Sequence, residues 1–381
     1  MSEAVLAPDL PVGFRRFCRN RFLNYQCNRL HSLGWVRTAE VADAASRIRT
    51  MSDHTRVFGG LSATAEQEGR LASAAFYARA AEMFTPPVAK AAAYDRVTGL
   101  FERAFADAPL TAHAVPFGGG ALPARRLSAL GEPRRRTVLL FGGFDSIVEE
   151  FFAISWLLAG AGFDVVAFDG PGQGGARTRH GVVSTHDWER PVAAVLDHLG
   201  LEDVALIGLS MGGYWAIRAA AHEPRVRAVV SWPPVHDWLD RVPTPLHPAV
   251  RRMLGWERFM DGSVRVRTRL SPVLRHAIDQ ALYISGGSEP MDAVRWFLGM
   301  NARHVGSERV EQDVALVGGE HDRFQPPTLL EHQAAALTSA RSVTTRVFTA
   351  AEHADQHCQM GNIAAATAWV ASWLRRCSPV A

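Results

Sequence analysis

From about Thr111 onward, short apolar runs alternate with longer segments whose apolar residues recur at helical spacing. Ala112–Phe117 and Leu122–Leu130 flank Gly118–Gly120 and read as a hairpin. Six further runs follow at Thr137–Phe141, Asp164–Asp169, Val204–Gly208, Val226–Trp232, Val314–Gly318 and Thr344–Phe348. Five of them are short and rich in Val, Leu or Ile, as strands buried on both faces of a parallel sheet must be, whereas the last carries more polar residues. Helical segments separate them, so the series predicts an α/β fold with a doubly wound, mostly parallel sheet of eight strands. The rhythm breaks from Pro233 to Val310, where no strand signal occurs. An insertion there, about 233–310, follows the sixth strand at the carboxyl edge of the sheet and reads as a lid.

The first 110 residues have a different pattern. Phe14–Leu33 is an aromatic, arginine-rich helical stretch, and Thr38 is placed to cap a helix running to about Met51. Thr64 and Gln67 fit a capping box ahead of an alanine-rich segment through Phe84. Thr85 followed by Pro86 reads as an N-cap with proline in the first turn of a helix to about Ala106. The expected organisation is a helical, cap-like N-terminal domain over 1–110 and a catalytic domain over 111–381.

The composition excludes several classes. At 48% apolar and 21% charged residues, the 381-residue chain is of ordinary globular type, long enough for two or three domain equivalents. Net charge is only +3, and no run of like charge exceeds Arg134–Arg136, so no basic stripe for nucleic acid is present. Lys90 is the only lysine, a bias that reads as the mark of a GC-rich genome. Cys18, Cys27, Cys358 and Cys377 form no C-x-x-C pair, which favours a reduced, cytoplasmic setting. Met1–Val12 lacks a basic start and a long apolar stretch, so it does not read as a signal peptide. Runs such as Phe151–Ala161 are too short to span a bilayer.

The strongest chemical signal is Gly208-Leu209-Ser210-Met211-Gly212, which follows a strand and precedes the helical Tyr214–Ala221. A turn sharp enough to lift a serine hydroxyl off a sheet needs small residues around it, and this is the context of a nucleophile elbow. A nucleophilic serine needs a base, and the base needs an orienting acid, in the chain order Ser, acid, His. Asp322 stands one turn beyond the seventh strand and is the candidate acid, with Glu320 as the nearby substitute. Two histidines follow the eighth strand, His353 and His357. His357 lies nearer the final helix, Ile363–Leu374, and is the preferred base. The oxyanion hole would take the backbone N–H of Met211 and that of Phe144, beside Gly143 in the loop after the third strand, where Gly143 allows close backbone approach and is taken as a substrate contact. Asp169-Gly-Pro-Gly-Gln-Gly174 lacks the spacing of a phosphate-binding loop and reads as a structural turn next to the site. Neither zinc spacing nor a cofactor motif is present, so no metal and no cofactor is expected.

Together these features resemble the α/β-hydrolase family from about Thr111 to the C-terminus. Gly142-Gly-Phe-Asp-Ser-Ile-Val-Glu-Glu150 is similar to the G-G-x-D-S-x-x-E-E segment of one subgroup, and so is Gln356-His357-Cys358-Gln359. That subgroup holds the FrsA-like esterases, 2,6-dihydroxypseudooxynicotine hydrolase and the fungal polyketide-shortening Ayg1-type hydrolases. The resemblance implies a helical N-terminal domain packed over the active site, a triad of Ser210, Asp322 and His357, and no metal. It also implies cleavage of a C–C bond beside a ketone as one chemistry, and dimerisation rests on it alone. His353 departs from the glycine expected there and is read as a substrate contact or a surface residue. Asp145, Glu149 and Glu150 are read first as ion pairs anchoring the N-terminal domain.

The expected function is a serine hydrolase acting on a C–C bond next to a ketone, or on an ester, in a bulky apolar, polyketide-like small molecule. Trp232, Trp238, Trp256, Phe259, Trp296 and Phe297 of the insertion region are the aromatic residues that would line such a site or pack the lid, with Trp238 taken as a substrate contact. Two other readings stand beside it. One is an acyltransferase or cyclase of secondary metabolism using the same triad, and the other is a binding protein that has kept the fold without catalysis.

Overall fold

The computed structural model describes residues 7–130 and 136–377. The start of the N-terminal segment, and Arg134 and Arg135 of the arginine run, lie outside them.

Five helices come first: α1 (Arg21–Ser32), α2 (Thr38–Arg47), α3 (Met51–Gln67), α4 (Leu71–Met83) and α5 (Pro87–Ala104). Their boundaries differ from the sequence expectation in several places. Thr38 is the first residue of α2 and not its cap, and that helix ends at Arg47. Pro86, not Thr85, is the N-cap of α5. The capping box belongs to Thr50 and Asp53 at the start of α3, while Thr64 and Gln67 lie in its last turn. Thr50-x-x-Asp53 satisfies the same reciprocal geometry with a shorter acid. The Phe14–Leu33 stretch becomes helical only at Arg21, where the Asn20 side chain accepts from the N–H groups of Phe22 and Leu23.

The sheet has eight strands: β1 (Leu110–Phe117), β2 (Gly120–Leu127), β3 (Thr137–Phe141), β4 (Val165–Phe168), β5 (Val204–Leu209), β6 (Val226–Trp232), β7 (Asp313–Gly319) and β8 (Ser342–Phe348). Their spatial order is β1-β2-β4-β3-β5-β6-β7-β8, parallel from β4 to β8 and antiparallel around β2. Every residue of β4 and β5 is buried. Successive residues of a strand face opposite sides. Val138 and Leu140 therefore join one core with the N-terminal helices, and Leu139 and Phe141 join the other. β8 is one of the two edge strands, which accounts for its polar residues.

Helices α6 (Phe152–Gly160), α7 (Gly174–Thr178), α8 (Glu189–Leu199) and α9 (Gly212–Ala220) connect the first strands. The stretch after β6 holds α10 (His247–Leu254), α11 (Glu257–Leu270), α12 (Pro272–Ser285), α13 (Pro290–Gly299) and α14 (Ala302–Val305), with no strand. Helices α15 (Pro327–Ala336) and α16 (Ile363–Cys377) flank β8. Among the described residues no helix is long and apolar enough to cross a membrane.

Candidate active site

The turn from β5 into α9 is held in a conformation that few side chains adopt. Ser210 has φ of 58°, in the left-handed region. Its N–H donates to Trp232 O at 2.7 Å, and its carbonyl accepts from Gly213 N at 2.9 Å. The flanking glycines are sterically required. A Cβ on Gly208 would stand 1.9 Å from Gly212 O, and one on Gly212 would stand 2.8 Å from Gly142 O. The strained serine is thus fixed from both sides, as an exposed nucleophile demands.

His357 Nε2 lies 2.9 Å from Ser210 Oγ, and His357 Nδ1 lies 2.7 Å from Asp322 Oδ2. A carboxylate only accepts, so Nδ1 carries the proton and Nε2 is free to accept from the serine hydroxyl. Asp322 is held by its other oxygen, which accepts from Phe324 N at 2.8 Å and Gln325 N at 2.9 Å. Burial alone pushes the His357 imidazole down, but the adjoining Asp322 carboxylate outweighs it and holds the group above its ordinary value. Glu320 turns away and accepts from Ala350 N at 2.6 Å. His353 stands exposed on the surface and does not line the catalytic cavity. The structure therefore gives it no place as a substrate contact, and its positive φ of 57° serves the turn.

Gly143 passes close against Ser210. A Cβ there would stand 2.7 Å from Met211 N and 2.9 Å from Ser210 Cβ. Its own N–H donates to Ser146 Oγ at 3.0 Å and is committed. The N–H groups of Phe144 and Met211 donate to no acceptor among the described residues. Sequence reasoning missed the residue that fixes this loop. Gln173 Nε2 donates to Gly142 O at 2.7 Å and to Gly143 O at 2.8 Å, while its oxygen accepts from Gly170 N at 2.9 Å. The glycine-rich segment after β4 is thus a brace for the loop after β3. Asp169, at its start, accepts from Val148 N, Gly175 N and the Tyr94 hydroxyl. Burial and the nearby Glu149 push its carboxyl up to about 7.

Ser210 opens onto a cavity of about 440 Å³. Helix α1 supplies Phe22, Tyr25 and Arg29 to its wall, and the insertion supplies Trp238, Leu274 and Phe297. Trp238 and Phe297 stack at 4.9 Å between centroids. The other aromatic candidates lie elsewhere. Trp232 is fully buried under the site, Trp296 packs on His186, and Trp256 and Phe259 are 58% and 63% exposed. Asp145 and Glu150 anchor the N-terminal helices: Arg29 donates to Asp145 at 2.9 Å and to Glu150 at 2.7 Å, and Arg79 to Glu150 at 3.0 Å. Glu149 pairs instead with Arg125 of β2, at 2.8 Å. Among the described residues no group of three or more His, Cys, Asp or Glu side chains is placed to hold a metal ion.

The chain is similar to several known proteins. A family model for the alpha/beta hydrolase fold matches residues 136–271. The chain has the α/β-hydrolase fold. Over 91% of its length the chain superposes on 94% of 2,6-dihydroxy-pseudo-oxynicotine hydrolase, with a TM-score of 0.64 and 20% identity. Over 89% it superposes on 90% of AbyA5, with a TM-score of 0.68 and 22% identity. In sequence it is 38% identical over 169 residues to hydrolase pyiE of Pyricularia grisea, covering 38% of this chain and 36% of that protein. It is 41% identical over 121 residues to hydrolase acrC of Aspergillus aculeatus, covering 29% of this chain and 28% of that protein. The matches thus span about a third of these relatives' length.

Proposed function

We propose that this α/β-hydrolase is a serine enzyme that cleaves a bulky, largely apolar carbonyl compound, at a C–C bond beside a ketone or at an ester. The observation that carries the reading is the unbroken chain Ser210 Oγ, His357, Asp322, with separations of 2.9 and 2.7 Å, at the wall of a 440 Å³ cavity. Ser210 attacks the carbonyl while His357 takes its proton, and Asp322 holds the ring and its developing charge. The uncommitted N–H groups of Phe144 and Met211 are the donors for the oxyanion. Collapse expels the leaving group, which His357 protonates, and water then releases the acyl group. The relatives named hydrolases agree with this class of reaction, and the apolar walls from α1 and the insertion agree with a bulky substrate.

A second reading rests on the apolar side chains that α1 and the insertion place around Ser210. A site shielded from water is suited to passing the acyl group to an alcohol or carbon nucleophile. Mass-resolved product analysis of purified protein with an aryl ester and an aryl β-diketone, with Ser210→Ala as control, tests both readings. Serine-dependent release of the acid supports hydrolysis. Serine-dependent acylation released only by an added acceptor supports transfer. Turnover that survives Ser210→Ala refutes both.

A further inference from the structure

The outer face of the insertion is unlike the rest of the surface. Of the eleven large apolar side chains exposed among the described residues, six fall within residues 253–273. They are Met253, Trp256, Phe259, Val266, Leu270 and Val273, and Leu270 is 80% exposed. Apolar side chains gathered in this way on one face mark an interaction surface. Along α11, Phe259, Val266 and Leu270 recur at helical spacing and share one stripe of about 16 Å. Val264, two residues from Val266, is buried on the other side of the helix. Trp256 extends the stripe, its ring 6.4 Å from that of Phe259.

Arginines flank the stripe. One stands immediately before each of its residues, at Arg258, Arg265 and Arg269, and Arg267 follows Val266 on the other flank. Residues 251–275 hold seven arginines and two acids, a net charge of +5 in a chain whose total is +3. Both acids are already committed: Glu257 pairs with Arg295 at 2.7 Å, and Asp261 with Arg265 at 2.6 Å. Among the described residues the other six arginines have no carboxylate within ion-pair distance. They are interleaved with apolar residues, so the sequence shows no long charged run and only the folded helix gathers them. Val273 belongs to this exposed face and also lines the catalytic cavity, so the cavity reaches the surface at the edge of the patch.

We infer that this face docks on an anionic phospholipid bilayer, with Trp256, Phe259, Val266 and Leu270 at the boundary of headgroups and acyl chains and the flanking arginines at the phosphates. An apolar stripe with cations on both sides is the pattern of a helix lying in a membrane interface, where arginine stems follow the apolar surface and their heads stay with the phosphates. The unpaired positive charge selects anionic lipid. A second copy of the chain would set +5 against +5. An acidic protein would answer the arginines but would leave an apolar substrate to reach the cavity through water, whereas a bilayer holds such a compound at the cavity mouth. That last step rests on the proposed function; the docking itself does not, and its test reads binding without turnover.

The test is flotation of the full chain with vesicles of equal parts phosphatidylserine and phosphatidylcholine, against vesicles of phosphatidylcholine alone. Wild type is expected to float with the mixed vesicles and not with the neutral ones. Arg258→Gln with Arg267→Gln should weaken vesicle affinity about thirtyfold, a factor of about five per arginine at a charged surface. Phe259→Ser with Leu270→Ser should weaken it by at least about tenfold. Arg227→Gln with Arg376→Gln removes the same charge from exposed positions on β6 and α16 and should change affinity by less than about threefold. All of these side chains are exposed, so each variant should melt as wild type does. Wild type that floats with neither vesicle, or equally with both, overturns the proposal. So does a loss in the Arg227 and Arg376 variant equal to that in the α11 arginine variant. In protein that ignores the mixed vesicles, retention on polyglutamate assigns the face to an acidic protein, and a dimer dissolved by Phe259→Ser with Leu270→Ser assigns it to a second copy; either result overturns the proposal.

Discussion

Tyr25 of the first helix donates its hydroxyl to the backbone carbonyl of His357 at 3.3 Å, across 332 residues of sequence. The tyrosine ring also lies 6.0 Å from the imidazole, and the Phe324 ring lies 5.1 Å from it. The N-terminal helices therefore position the base as well as roof the cavity. Tyr25→Phe removes one hydrogen bond of about 1 kcal/mol and leaves the ring packing. Its expected effect is a fall in kcat of several-fold with KM within about twofold, read by steady-state kinetics. An effect confined to KM would argue for a substrate contact instead.

The two histidines after β8 should separate clearly. His357→Ala is expected to lower kcat by three or more orders of magnitude, as loss of a triad base does, and His353→Ala by less than about threefold. The pH profile follows from the sign of the shift. The base works when neutral, and Asp322 raises the pKa of His357, so activity should rise with pH through a midpoint above the ordinary histidine value of 6.5. In Asp322→Asn the charge is gone and burial remains, so the midpoint should move below 6.5 and kcat should fall by roughly 10⁴-fold. A wild-type midpoint below 6.5 would contradict the assignment.

Only some of the insertion's aromatic residues shape the cavity. Trp238→Ala should raise KM for an aryl ester about tenfold, since it removes the ring stacked on Phe297. Trp256→Ala, at an exposed position outside the cavity, should leave kcat/KM within about twofold. Equal effects would mean that the insertion closes differently over bound substrate.

Arg29 is the cation between Asp145 and Glu150. Arg29→Met leaves the buried Glu150 and the part-buried Asp145 short of a partner and should cost about 3 kcal/mol, read as a lowered denaturant midpoint. Burial raises the Asp145 carboxyl, but Arg29 and Arg79 outweigh it and hold it at about 2. A carboxyl so depressed stabilises the fold above its unfolded value near 4 and loses that contribution as pH falls through about 2. The acid sensitivity of wild type should accordingly be blunted in Arg29→Met.

Much of this was legible in the chain because local patterns carried it. The apolar runs of β3 and β6 mark their strands to the residue, and the glycines around Ser210 mark a turn that no larger residue could make. Asp322 was legible from its place after β7. Gln173 was not, because nothing in a Gly-Pro-Gly-Gln run announces two bonds to the loop after β3. Tyr25 and Arg29 were hidden for a different reason. Their spacing marks one face of α1, but the partners of that face lie more than a hundred residues away. The helix starts near residue 50 were misplaced because Thr50 and Asp53 and the Thr64–Gln67 pair offer the same local signal, and only packing separates them.

The most direct test of the account is to trap the acyl-enzyme. Protein should be quenched within its first turnovers of an aryl ester or aryl β-diketone, digested, and weighed by mass spectrometry. The account predicts the mass of the acyl group on the peptide that contains Ser210, absent from Ser210→Ala and slow to clear in His357→Ala. An acyl group on another residue, or product formed at the wild-type rate by Ser210→Ala, would contradict it.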